Sequence, residues 1–133
     1  MNVFDLHHDV LPELVLASQA VTGSVAGAII DTARFEGLEF VFQSATITAD
    51  VDVLIEHGDD SGLTDATTVA ADLIMTAGAN PFAIATTDSD TAKSFGYIGK
   101  KRYVRVTPGG GASNGVVGIV SLKYGAHHKP TQP

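Results

Sequence analysis

Apolar and polar residues alternate with a period of two along much of this chain. In residues 38–44 (LEFVFQS), Leu38, Phe40 and Phe42 alternate with Glu39, Val41 and Gln43, the pattern of a strand with one well-buried face. Residues 48–57 repeat it, with Val51, Val53 and Ile55 on one side and Asp50, Asp52, Leu54 and Glu56 on the other. Two such runs in succession predict an antiparallel meander. Residues 58–65 (GDDSGLTD) are dense in turn formers and predict an exposed loop. Residues 65–75 mix Ala and Leu, which allow a helical turn or two, with Thr67, Thr68, Val69 and Ile74, which favour extended chain; strand is the preferred reading. A short strand is predicted at 82–86 and a polar loop at 87–92. Tyr97 and Ile98 then lead through Gly99 into 102–107, where Arg102, Val104 and Val106 alternate with Tyr103, Arg105 and Thr107. Residues 108–114 (PGGGASN) predict a flexible hairpin loop and 115–124 (GVVGIVSLKY) a last strand. About eight strands separated by turn signals predict an all-β fold, an antiparallel β-sandwich or jelly-roll-like barrel.

The two ends depart from this texture. Residues 1–19 (MNVFDLHHDVLPELVLASQ) show no clean period, and Pro12 opposes a continuous helix, so residues 1–20 are expected to form an extended N-terminal arm. Residues 21–125 are then a single β domain, and 126–133 a surface tail. The arm carries Val3, Phe4, Leu6, Val10, Leu11, Leu14 and Val15, too many apolar side chains for a free monomer to leave in water. They either dock on a neighbour or cover one end of the domain's own sandwich. Val3, Phe4, Leu6, Val10, Leu11 and Leu14 are therefore interface candidates.

Charge changes the picture more than composition does. Residues 1–90 hold all fifteen acids and one base, Arg34, for a formal charge of -14, whereas 91–133 hold seven bases and no acid, for +7. Such polarity points to association through complementary surfaces rather than to chemistry in a cleft. The chain has 133 residues, enough to bury a sizeable core, and its apolar residues are mostly Ala, Val and Ile, with no Trp. Cysteine is absent, which removes disulfides, a thiol nucleophile and thiolate metal sites. No basic segment opens the chain and no apolar run approaches the length of a membrane span, so a soluble product without a classical secretion signal and without membrane association is expected.

No catalytic or cofactor constellation emerges. The histidines fall as His7-His8, His57 and His127-His128, and adjacent histidines on a strand point to opposite faces, which makes a poor zinc site. Asp59, Asp60 and Asp65 lack the alternate-acid spacing and distal Glu of a calcium loop, and they fit a charged hairpin tip better. Gly109 to Gly111 lack the following Lys-Ser/Thr of a phosphate loop. Ser, His and Asp occur without a nucleophile elbow. No metal, no cofactor and no enzymatic activity are expected. Lys100, Lys101, Arg102 and Arg105, with Tyr97 and Tyr103 nearby, have the makings of a single-strand nucleic-acid platform, but the acidity of the rest of the domain disfavours it. Pairing with carboxylates of neighbouring strands or subunits is the preferred reading. Arg102 and Arg105 should lie on opposite faces of their strand, one toward an acidic neighbour and the other toward solvent or a partner, and both are interface candidates.

The opening VFDLHHDV, the run VDVLIEHGDDSGLTDA, the strand GYIGKKRYVRVT and the closing VSLKYGAHHKP resemble, in order, a group of small structural proteins encoded beside the major capsid protein in tailed bacteriophages. The resemblance implies a virion component, a capsid decoration or cement protein that binds between capsomers on the outside of the shell. Its implied partners are the major capsid protein and further copies of itself, as a homotrimer. Its implied location is the capsid surface, after synthesis in the host cytoplasm. It carries over no catalytic residues and leaves a place at the head-to-tail junction or in the tail open. A carbohydrate-binding β-sandwich module is the alternative of another class, and it would use Tyr97, Tyr103 and Tyr124.

Overall fold

The computed structural model describes residues 5–75 and 79–127. Ten strands follow one another: β1 (Leu11–Val21), β2 (Ile30–Asp31), β3 (Gly37–Ala49), β4 (Val51–Gly58), β5 (Thr67–Thr68), β6 (Ile74–Met75), β7 (Phe82–Ile84), β8 (Ala92–Tyr97), β9 (Tyr103–Gly110) and β10 (Asn114–Tyr124). Single 3-10 turns at Ala71–Leu73 and Thr86–Asp88 are the only helical segments among the described residues. The strands form two antiparallel sheets of five. The first runs β1-β10-β3-β8-β6, and the second β2-β9-β4-β5, with β7 also on β4. The fold is the expected all-β sandwich, with ten strands in place of about eight because several are two or three residues long.

Period-two patterning places the core. Leu38, Phe40 and Phe42 of β3 and Val117 and Ile119 of β10 face Val51, Val53 and Ile55 of β4 and Val104 and Val106 of β9 across the interior. Phe95 of β8 is the hub of an aromatic cluster, stacked on Phe40 at 5.2 Å and meeting Phe82 edge-on at 4.9 Å.

The predicted meander of 38–44 and 48–57 is corrected. β3 pairs with β10 and β8, β4 with β9, β5 and β7, and the two lie in different sheets with only Asp50 between them. The reason lies in the connection: ATITAD has no Gly or Asn able to make the left-handed two-residue turn a tight hairpin needs, so the chain bends across the end of the sandwich instead. β9 and β10 do the same, and 108–110, expected as hairpin loop, continue β9. The 87–92 loop is likewise shorter than expected, since β8 begins at Ala92. Residues 65–75, read as strand, are two short strands around a 3-10 turn, because the segment carries the chain from the second sheet to the first.

The expected arm is extended, but from Leu11 onward it is the edge strand of the first sheet, paired along β10 from Leu11↔Lys123 to Val21↔Gly115. Two bulges interrupt that ladder. Residues 25–28 lace the open side of the sandwich, since Gly27 N–H donates to the Val106 carbonyl and Ala28 N–H to the Val15 carbonyl, both at 2.9 Å. Val15 and Leu16 are thus core residues of the body. The surface tail is described to His127, which is exposed.

Candidate interaction surface

The two outer faces of the sandwich differ in chemistry. Outward positions of the second sheet carry Asp52, Leu54 and Glu56 on β4 and Tyr103, Arg105 and Thr107 on β9, a face that is charged and hydroxylated except at Leu54. The outward positions of the first sheet are apolar around Val120, with Glu39, Gln43 and Ser94 beside them. Leu14 of β1, Val120 of β10 and Val41 of β3 sit side by side in one row. The next row runs Pro12, Leu122, Glu39, Gly96, Met75, in which Glu39 is the one charge. Leu14 is 64% exposed, Met75 55%, Tyr124 43% and Val120 37%. Three adjacent strands each showing an apolar side chain to solvent in register form a continuous patch, which singly exposed residues do not. At one end of the patch Leu6, Asp9, Val10, Glu39, Leu122 and Tyr124 line a shallow depression of about 440 Å³. Leu6 is 67% exposed there, on a turn in which its carbonyl accepts the N–H groups of Asp9 and Val10.

The interface candidates do not fall together. Leu6, Val10 and Leu14 belong to this patch, whereas Leu11 alternates with Pro12 and is half-buried. Val3 and Phe4 lie outside the described residues. Arg102 and Arg105 are elsewhere, and both are matched within the chain. Arg102, just before β9, grips Asp31 through Nε and Nη2 at 2.8 and 2.9 Å and stacks its guanidinium over Tyr103 at 5.1 Å. Arg105 donates through Nη2 to Glu56 at 3.1 Å, across the β4-β9 ladder. Of the two expected sources of carboxylate partners, neighbouring strands or neighbouring subunits, both arginines use strands of their own chain. The two differ in exposure, since the Arg102 side chain is about half exposed and Arg105 mostly buried, but each has a carboxylate partner because Asp31 on β2 flanks β9 as closely as β4 does.

Hydrogen bonds from the Arg102 side chain are the largest influence on Asp31, and with Ala33 N–H and the nearby charges they hold its carboxyl at about 2, below the usual 3.8. A carboxyl depressed in the folded state stabilises above its unfolded value near 3.8, and that contribution disappears as pH falls through about 2. Both partners are about half exposed, so screening limits the contribution to about 1 kcal/mol or less. Asp31→Asn should therefore flatten part of the acid limb of a stability-against-pH curve between about pH 4 and 2, as read by chemical denaturation.

Tyr97 and His57 close the sandwich end near this pair. Tyr97 is buried, its hydroxyl lies 2.8 Å from His57 Nδ1, and the same oxygen accepts Lys101 N–H at 3.1 Å. Burial pushes the Tyr97 phenol up and the His57 imidazole down. With Tyr97 in the core and Tyr103 beneath Arg102, only Tyr124 of the three tyrosines is exposed. That removes the aromatic platform the carbohydrate alternative required. In the 58–65 loop Asp65 accepts the N–H groups of Asp59 and Asp60, and Asp60 those of Gly62 and Thr64, so these acids organise the turn itself.

No protein-family model and no curated protein matches the chain. Solved structures do. The SPBc2 prophage-derived protein YomS is 15% identical over 85% of this chain and 94% of its own, with a TM-score of 0.51. The PBSX exported protein XepA is 16% identical over 96% of this chain, which spans 40% of XepA, with a TM-score of 0.55. A Bacillus endospore appendage protein, from a family of disulfide-linked pili, is 14% identical over 95% of this chain and 99% of its own, with a TM-score of 0.52. The chain has the fold of these three proteins. Two of them are phage-derived, and at such identities the likeness is one of fold.

The apolar outer face went unseen in the sequence reading, although a signal for it was present. In GVVGIVSLKY Val117 and Ile119 point inward while Val116, Val120 and Leu122 point outward, so the strand is apolar on both sides. An edge-to-edge apolar strand means both faces are covered, and here the body covers one.

Proposed function

We infer that this chain is a structural protein of a phage virion that binds the capsid as a decoration or cement protein, with the outer face of its first sheet as the docking surface. It acts by association and not by chemistry. The observation that carries this reading is the apolar row Leu14, Val120 and Val41 on a sheet whose opposite number in the sandwich is charged. Supporting it are the resemblance to proteins encoded beside the major capsid protein and the phage origin of two proteins that share the fold. A cement protein stabilises a lattice by contacting more than one capsomer, with the energy of each contact multiplied by copy number. A rigid sandwich with one apolar face meets that need, since ordered strands lose little entropy on docking.

The test is binding of the purified full chain to shells assembled from the major capsid protein alone. Val120→Asp and Leu14→Asp each place an unpaired carboxylate in the docked face, and each should weaken binding by about 2–4 kcal/mol, some thirtyfold or more. Both side chains are exposed in the free chain, so melting temperatures should move little. Unchanged binding by both variants would contradict the assignment of this face.

A further inference from the structure

At the end of the sandwich where β3 begins and β8 finishes, a cleft of about 340 Å³ opens between residues 32–38 and 97–102. Four cations line it, Arg34, Lys100, Lys101 and Arg102, against one carboxylate, Glu36. Lys101 and Arg102 are engaged by Asp59 and Asp31. Arg34 and Lys100 take part in no ion pair among the described residues, and both are exposed. The Arg34 backbone is left-handed, with φ 72°, and is held by Phe35 N–H on the Thr32 carbonyl and His127 N–H on the Arg34 carbonyl. The cation is mounted on a fixed turn.

The opposite end has the complementary charge. Asp50, in the β3-β4 connection, accepts the Thr86 N–H, and the 85–91 turn packed on it carries Asp88 and Asp90. Asp88 is taken by Lys93, whereas exposed Asp50 and Asp90 have no ion pair among the described residues. Asp90 also stands on left-handed backbone, with φ 56°, fixed by its N–H on the Ala45 carbonyl. β3 runs from Gly37 to Ala49, so at ~3.3 Å per residue Asp50 lies about 40 Å from the cleft end, and Asp90, held level with Ala45, about 25 Å. Within one molecule they are well beyond a Debye length and do not neutralise each other.

We propose that the basic cleft receives the acidic Asp50 and Asp90 end of a second copy of this chain, joining copies head to tail along the sandwich axis. The contact is heterologous, so it propagates into a ring or a row instead of closing as a two-fold dimer. It leaves the apolar outer face of the first sheet free and is independent of the docking proposed above. Its strength must fall with salt, because the unpaired charges on both sides are exposed.

The test exploits charge swapping. The double variant Arg34→Glu with Lys100→Glu has two acidic ends, and Asp50→Lys with Asp90→Lys has two basic ends. Sedimentation of the full chain at low salt should show concentration-dependent association that weakens toward 0.5 M salt, and each double variant alone should associate at least about tenfold more weakly. Mixed in equal amounts they should associate again, since each acidic end meets a basic one, in alternating order. Circular dichroism melts establish that both variants are folded. Wild-type chain that stays monomeric at low salt, or folded variants that do not associate when mixed, would overturn the proposal. So would a cleft that binds millimolar inorganic phosphate while no self-association occurs.

Discussion

Replacing Gly109 by alanine is expected to destabilise the domain by about 3 kcal/mol or more, the larger of the two strongest effects foreseen here. Gly109 has φ +107°, a conformation L residues rarely adopt, and sits where the β4-β9 register shifts between Asp52↔Gly110 and Val53↔Pro108. A β-carbon there would overlap the Gly23 carbonyl oxygen and carbon and press on Val21 Cγ1 at 2.7 Å. Gly23 belongs to the loop that laces β1 to β9, so the clash cannot be relieved without opening that side of the sandwich. Thermal unfolding should show a midpoint about 10 °C or more below the parent. Gly23→Ala is the control: nothing lies within 4 Å of the added carbon, and its midpoint should stay within a few degrees. Equal effects of the two changes would refute the packing described for this corner.

Asn80→Ala should cost about 2–4 kcal/mol. Between β5 and β7 the edge of β4 has no strand partner at Ile55, and the Asn80 side chain fills the gap. Its Oδ1 accepts Ile55 N–H at 3.1 Å, and its Nδ2 donates to the Ile55 and Val69 carbonyls at 2.8 and 2.7 Å. Truncation leaves the Ile55 N–H without its partner at the edge of a core strand, and Ile55 and Val69 are both fully buried. Asn80→Asp has the same shape but turns an oxygen toward two carbonyl oxygens, so it should be no better than alanine by urea denaturation. An Asp variant as stable as the parent would mean that the amide is not the bridge.

How much of this was legible beforehand depended on the range of the interaction. The inward faces of β3 and β4 were readable because burial imposes a period of two on Leu38, Phe40, Phe42, Val51, Val53 and Ile55 directly. Which sheet each strand joins was not readable, since nothing local distinguishes a hairpin from a corner at Asp50. Residues 1–20 read as an arm apart from the domain, and the pairing of residues 11–21 with β10 depends on a partner more than ninety residues away. The partners of Arg102 and Arg105 were anticipated as a class, whereas Asp31 and Glu56 came close only through the β2-β9-β4 order. The apolar outer face was hidden because Val41 alternates with the inward Phe40 and Phe42 beside polar Glu39 and Gln43. It joins a patch only once β1 and β10 lie beside it. Asn80, likewise, reads as a turn residue before Pro81 until the gap on β4 is known.

Electron microscopy of the source particle is the most direct test of the proposed docking of the first sheet's outer face on a phage shell. Regularly repeated surface density is expected, into which the sandwich fits with β1, β10 and β3 turned toward the shell. Particles carrying no such density, or density seating the charged β4-β9 face on the capsid, would contradict it.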